Sequence, residues 1–309
     1  MMRIVVVGAG AIGGFIAAAL ARSHTDVAVV ARGAHAEAIA RDGVRVESDL
    51  GRFTSRVHVV EDPEELRDFD AALLTFKAHQ WPNFMHLLAP LKNAKTTIVT
   101  LQNGVPFWYV REPPLRSVDP EGRIGAMFPD DRIVGGVVHV SGTIVEPGHV
   151  RQSGGLRYVF GDPNGGTGER CREIVARFTA AGLAPEVDPD IRRTIWLKLV
   201  NNVGLNATSV LERLTIKQML ASPDVRDRVR RLMVETLDVG RAMHAIDSAD
   251  VDARIEYAAR LSDVKTSMLQ DFERGREMEI DPILGAVCEL GERYGVPMPA
   301  VREAYEALR

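Results

Sequence analysis

Apolar residues fall in short continuous runs through the first part of this chain and at helical spacing through the rest. Ile4 to Val7 is an unbroken run, the pattern of a strand buried on both faces. An apolar helix follows from Ala11 to about Arg22. Asp26 to Ala31 predicts a second strand and Ala34 to Asp42 a short helix. Val44 to Ser48 and Arg52 to Val60 flank Asp49-Leu50-Gly51, a hairpin signal. Ala71 to Leu74 and Thr96 to Leu101 predict buried strands, with a helix over Trp81 to Leu91 between them. Further strands are expected at Ile133 to Val140, Thr143 to Glu146, Leu156 to Phe160 and Ala184 to Val187, and a helix at Glu169 to Ala181. Strands alternating with helices predict a parallel, doubly wound sheet. Phe107 to Pro129, with Pro113, Pro114 and Pro120, breaks the alternation and reads as a surface insertion.

The pattern changes near Asp188. Asp188-Pro189 and Ser222-Pro223 are helix-start signals. Val225, Val229, Leu232, Met233 and Leu237 then recur at helical spacing. Asp250 to Val264, Ile283 to Tyr294 and Pro299 to Leu308 read as further helices, and no convincing strand remains. The expected fold is α/β: an N-terminal Rossmann-like doubly wound sheet over 1–188, then an all-α domain over 189–309.

Composition narrows the function classes. The 309 residues are 46% hydrophobic, enough for two ordinary cores. A net charge of −4 without a basic stripe argues against nucleic acid or an anionic membrane as partner. No apolar stretch approaches the roughly 20 residues of a membrane span. The N-terminal apolar run is short and broken by glycines, unlike a signal peptide. A cytoplasmic protein is expected. Cys171 and Cys288 form no CxxC pair, and the eight histidines show no ligand spacing, so no metal site is expected.

Candidate chemistry starts at Gly8-Ala9-Gly10-Ala11-Ile12-Gly13. The strand before it and the helix after it make the segment a dinucleotide-binding turn. Gly8 permits the turn, Gly10 clears the approach of a pyrophosphate, and Gly13 lets the helix lie close on the sheet. The helix N-terminus supplies N–H groups and partial positive charge. An NAD-preferring site usually carries an acid at the end of the second strand. Here that strand ends Val30-Ala31-Arg32, and Arg32 can pair with a 2′-phosphate. NADP(H) is the expected cofactor.

Two polar clusters stand out in the helical half. Lys198, Asn202 and Asn206 are four apart among the apolar neighbours Leu197, Leu199, Val200, Val203 and Leu205, so they share one helical face over about 12 Å. Such groups are costly in a dry core, and they suit a cleft that holds a polar substrate. A solvated stripe is the alternative. The second cluster runs from Lys265 to Asp271 and on to Glu277-Met278-Glu279-Ile280-Asp281. In one straight helix Ser267 and Glu279 would lie about 18 Å apart. A helix break at Gly275 would let both approach one cleft.

Taken in order, these segments resemble the ketopantoate reductase (2-dehydropantoate 2-reductase) family. The resemblance rests on the N-terminal GAGAIGG, Phe76-Lys77-Ala78-His79-Gln80, Leu101-Gln102-Asn103-Gly104, Val145-Glu146-Pro147-Gly148, Trp196 with Lys198, Asn202 and Asn206, and Ser267 through Gln270-Asp271 to Glu279-Ile280-Asp281. It implies that Lys198 polarises and protonates the keto oxygen of the substrate. It implies that Asn202 and Asn206 hold the substrate's polar groups and Ser267 its carboxylate. Glu279 would contact the cofactor and order the site. Lys77, Asn103 and Ser141 would touch the cofactor, and Arg32 its 2′-phosphate. The implied partner is a small 2-oxo acid, and the apolar helical faces are compatible with a homodimer. Two positions depart from the family pattern. Ile216 and Val264 stand where its best-known members carry asparagine, which keeps open a different 2-oxo or 2-hydroxy acid on the same fold. A non-catalytic NADP(H) sensor is the reading from another class.

Overall fold

The structure, a computed structural model, describes residues 2–260 and 263–309. The chain divides into two compact units. The first comprises the chain up to Gln102 with Ile124–Ile191, and the second Asn103–Arg123 with Arg192–Arg309.

The first unit is built on β1 (Arg3–Val7), α1 (Ala11–Arg22), β2 (Asp26–Val30), α2 (Gly33–Asp42), β3 (Val44–Ser48), β4 (Gly51–Ser55) and β5 (His58–Val59). It continues with β6 (Ala71–Leu74), α3 (Trp81–Leu88), β7 (Thr97–Thr100), α4 (Arg123–Met127, reaching it from the second unit), β8 (Ile133–Glu146), β9 (His149–Gly161), α5 (Glu169–Ala180) and β10 (Ala184–Val187). All its strands join one sheet, ordered β4-β3-β9-β8-β7-β6-β1-β2-β5, with β10 also paired to β9. The run β5-β2-β1-β6-β7-β8 is parallel throughout, the Rossmann arrangement. Ile4 to Val7 and Ala71 to Leu74 are fully buried, as continuous apolar strands under helices must be.

Two features extend that plan. β9 runs antiparallel to β8, and the β3–β4 hairpin adds to its far side, so the sheet is mixed rather than purely parallel. The strands expected at Ile133 to Val140 and Thr143 to Glu146 are one strand, irregular between His139 and Gly142. Its partner begins at His149, before the expected Leu156. The helix from Trp81 ends at Leu88 and tightens into a 3₁₀ turn over Ala89–Asn93. Pro90 there has no N–H to continue an α-helical ladder.

The second unit holds α6 (Ile191–Glu212, whose first residue belongs to the first unit), α7 (Ile216–Ala221), α8 (Pro223–Ala242), α9 (Val251–Ala259) and α10 (Ser267–Glu273). A π-type turn at Asp281–Gly285 leads into α11 (Ala286–Tyr294), and α12 (Pro299–Leu308) follows. Of the helix expected over Asp250 to Val264, Leu261 and Ser262 lie outside the described residues. No helix among the described residues is long and apolar enough to cross a membrane.

Phe107 to Pro129 is not a surface insertion. Phe107, Trp108, Tyr109, Leu115, Asp119, Ile124 and Phe128 are all buried. Within the second unit Tyr109 stacks near Trp196 with ring centres 6.0 Å apart, and its hydroxyl donates to the Arg192 carbonyl at 3.0 Å. Arg192 returns a bond to the Tyr109 carbonyl at 2.7 Å. Glu289 of α11 accepts from the Arg116 and Ser117 N–H groups and from the Ser117 hydroxyl. The prolines mark irregular backbone, and the aromatic side chains make that backbone part of the core.

Candidate active site

In the first unit the segment from Gly8 to Gly13 joins β1 to α1. Gly8 has φ +98°, and an added Cβ there would stand 2.7 Å from the Phe76 nitrogen. A Cβ at Gly13 would collide with the Gly8 carbonyl and the Thr75 hydroxyl. At Gly10 nothing lies within 4 Å of the place a Cβ would occupy. No side chain caps α1, and no acid occupies its first turn. The Thr75 hydroxyl holds the Gly8 carbonyl at 2.8 Å, turning acceptor lone pairs aside. Open space, uncapped N–H groups and an unopposed helix dipole fit a dinucleotide pyrophosphate.

Around that turn, Arg32 follows β2 with no acid beside it. Its guanidinium lies 4.8 Å from the Phe84 ring centre, and Phe84 stacks on Phe76 at 4.2 Å. Lys77 begins the short turn after β6, where its N–H donates to the Gln80 side chain at 3.3 Å. Ser141 is exposed on the irregular stretch of β8. A Cβ on its neighbour Gly142 would sit 3.6 Å from the Ala11 Cβ, so this stretch runs past the start of α1.

The second unit gathers a different chemistry. Lys198 on α6 donates from Nζ to Asn103 Oδ1 at 2.8 Å, and Asn103 Nδ2 donates to Glu279 Oε2 at 3.3 Å. One amide thus links an ammonium to a carboxylate. Burial pushes the Lys198 ammonium down to about 8, against the opposing pull of Glu279. Glu279 is itself buried, at 8% exposure. The segment carrying Asn103 is fixed by close approach: the Val105 N–H bonds the Pro282 carbonyl at 2.9 Å, and Gly104 leaves no room there for a Cβ.

Asn202 and Asn206 continue from Lys198 along α6, the first half-buried and the second buried. Ser209 lies on the same face, and its hydroxyl meets that of Thr266 at 2.5 Å. Thr266 caps α10 by accepting from the Leu269 N–H. The face therefore ends at the start of α10, where Ser267 is exposed. Gly275 has φ +61° beyond the end of α10, so the segment from Ser267 to Glu279 is not one helix. The structure brings Lys198, Asn103 and Glu279 into one bonded group and sets Asn202 and Asn206 along α6, with Ser267 opening α10. Ile216 is buried and Val264 is an exposed apolar residue, with the Ile216 N–H bonded to the Val264 carbonyl at 3.0 Å.

Three residues escaped sequence reasoning. Thr75 and His35 bond the dinucleotide turn; Thr75 directly follows β6, which is the one hint, and nothing local marks His35. Arg254 of α9 reaches the Leu197 carbonyl and Asn201 Oδ1, both at 3.4 Å. Nothing in its sequence surroundings marked that contact. Among the described residues no group of three or more His, Cys, Asp or Glu side chains could hold a metal ion. Burial pushes both cysteine thiols up to about 11.

Comparison with known proteins covers most of the chain. Residues 4–165 match the family described as ketopantoate reductase PanE/ApbA, and residues 190–309 match its C-terminal counterpart. A 2-dehydropantoate 2-reductase of Mesorhizobium japonicum is 38% identical over 97% of this chain and 94% of its own. The crystal structure of 2-dehydropantoate 2-reductase from Geobacter metallireducens superposes with a TM-score of 0.89 at 33% identity, covering 99% of each chain. The ternary structure of D-mandelate dehydrogenase with NADH and anilino(oxo)acetate gives a TM-score of 0.85 at 21% identity over 99% of this chain and 96% of that one, a likeness of fold alone.

Proposed function

The chain belongs to the ketopantoate reductase family, and from that premise we propose that it reduces a 2-oxo acid, ketopantoate, to the 2-hydroxy acid with NADPH. The observation that carries the proposal is the bonded group Lys198–Asn103–Glu279 on a chain that also has an uncapped dinucleotide turn.

Gly8 to Gly13, Arg32, Lys77 and Ser141 would hold the coenzyme, with Asn103 also in contact. When bound, NADPH would supply the hydride for the oxo carbon. Negative charge then develops on the oxo oxygen, and a positioned cation there lowers the barrier. Lys198 stabilises that charge and gives up a proton from Nζ. With its pKa held at about 8, it is mostly protonated at neutral pH yet a stronger acid than an ordinary lysine. Asn103 fixes the direction of the ammonium, and Glu279 restores part of the positive charge that burial disfavours. Asn202 and Asn206 hold the substrate's polar groups, and Ser267 its carboxylate. The absence of an acid after β2, with Arg32 in its place, favours NADPH over NADH.

The test is NADPH consumption with ketopantoate and a small panel of other 2-oxo acids, with Lys198→Ala as control. Turnover on ketopantoate that falls by about 10²–10⁴ in the variant is expected for loss of a positioned acid. Turnover confined to another acid would move the substrate and keep the chemistry, and Ile216 and Val264 would be the first positions to examine. Binding of NADPH without turnover on any acid would refute the proposal.

A further inference from the structure

We infer that His35 is a positioning residue for the coenzyme: it holds the Ala9 carbonyl aside, so that the uncapped N–H groups at the start of α1 are left to face the pyrophosphate. This inference rests on the coenzyme reading given above and assigns a role to a residue outside it.

His35 stands in the first turn of α2, and its imidazole joins three segments of the first unit. Nε2 bonds the Ala9 carbonyl at 2.7 Å, and Nδ1 accepts from the Gly148 N–H at 3.0 Å. A carbonyl only accepts and an N–H only donates, so the ring carries its proton on Nε2. Gly148 closes the β8–β9 hairpin with φ +74°, and an added Cβ would lie 3.0 Å from the Ala38 Cβ. The hairpin segment Val145 to Gly148 thus acquires a function: it sets the tautomer of the side chain that grips the dinucleotide turn. Burial lowers the tendency of His35 to ionise, and the Ala9 bond opposes this.

The physical need lies in the turn itself. An anion site requires backbone N–H groups toward the ligand and carbonyls away from it. Beside glycine a peptide plane can flip at little cost, and a flip at Ala9–Gly10 would swing an oxygen toward a phosphate. Side-chain donors hold this peptide and the one before it. Thr75 holds the Gly8 carbonyl and His35 the Ala9 carbonyl. The Gly10 N–H is meanwhile directed to the Gly8 carbonyl at 2.7 Å.

The two ring bonds can be separated. In His35→Gln the amide nitrogen occupies about the place of Nε2, so a donor to Ala9 is kept and the Gly148 acceptor is lost. In His35→Asn the amide oxygen replaces Nδ1, so the Gly148 bond is kept and the Ala9 donor is lost. His35→Ala loses both. The experiment is titration of wild type and the three variants with NADPH, followed by ligand fluorescence, alongside the steady-state KM values for NADPH and the 2-oxo acid. His35→Ala and His35→Asn are expected to weaken NADPH binding by about tenfold, the worth of one hydrogen bond to a site-forming group. His35→Gln is expected to recover most of that loss, and the KM for the oxo acid to move far less than that for NADPH. Rescue by Asn rather than Gln, equal affinity in all four proteins, or equal rises in both KM values would overturn the inference and leave the coenzyme reading standing. Wild-type protein that does not bind NADPH would overturn that reading, and the inference with it.

Discussion

Replacing Glu279 by glutamine should move the pH dependence of the reduction without changing the shape of the site. The glutamine keeps an oxygen for Asn103 Nδ2 and removes one negative charge. Bonds of 2.8 and 3.3 Å joined through a single amide keep the ammonium and carboxylate within about 8 Å, where an effective dielectric of about 20 gives about 2 kcal/mol of attraction. That energy corresponds to about 1.5 pH units. Lys198, held at about 8, should therefore fall to roughly 6.5 in the variant. A general acid works in its protonated form, so the rate of reduction falls as pH rises through the lysine pKa. At pH 7.5 the protonated fraction drops from about three quarters to about one tenth, a loss of roughly eightfold. Near pH 5.5 both proteins are almost fully protonated and the loss should nearly vanish. The assay is kcat/KM for the oxo acid at saturating NADPH across this range. A limb that stays near pH 8 in Glu279→Gln, or an equal loss at every pH, would refute the electrostatic role.

Arg32→Ala should weaken NADPH by about 10- to 100-fold, the worth of a charge-assisted bond to the 2′-phosphate, and leave NADH nearly unchanged; equal losses in parallel titrations would remove Arg32 from that role. Lys198→Met should abolish turnover and stabilise the protein by up to about 3 kcal/mol at neutral pH. The folded-state value of about 8 lies below the ordinary 10.5, so the deficit builds as pH falls from about 10.5 to about 8 and is constant below that. Denaturant midpoints at pH 7 and pH 11 check this, the gain being large at the first and small at the second. Trp108→Ala should cost about 3–5 kcal/mol as a core truncation, whereas a loop on the surface would lose about 0.5 kcal/mol or less; urea unfolding separates the two.

Much of this molecule is legible in its sequence because local rules and tertiary demands agree there. The run Ile4 to Val7, the glycines at 8, 10 and 13 and the apolar helix after them specify strand, turn and helix independently. The four-residue spacing of Lys198, Asn202 and Asn206 puts them on one face of α6, which the structure bears out. What the sequence conceals is set by distant partners. Phe107, Trp108 and Tyr109 have no periodicity, and the prolines beyond them read as surface, because their burial is decided by Arg192, Trp196 and Glu289 far along the chain. Asn103 is recognisable as a motif residue, yet its bond to Lys198 depends on the close approach of Gly104 to Pro282. The single strand from Ile133 to Glu146 looks broken near Ser141 because a register irregularity interrupts its alternation. His35 gives no local sign of its grip on Ala9, since both of its bonds are to backbone of other segments.

The most direct measurement is the fate of the hydride. Purified protein would be given ketopantoate and NADPH carrying deuterium at the transferable position, and the product analysed by mass spectrometry. One deuterium on the carbon that held the oxo group, formed by wild type and lost in Lys198→Ala, is the predicted result. Product without deuterium, or label transfer equally fast in Lys198→Ala, would contradict a reductase that depends on this lysine.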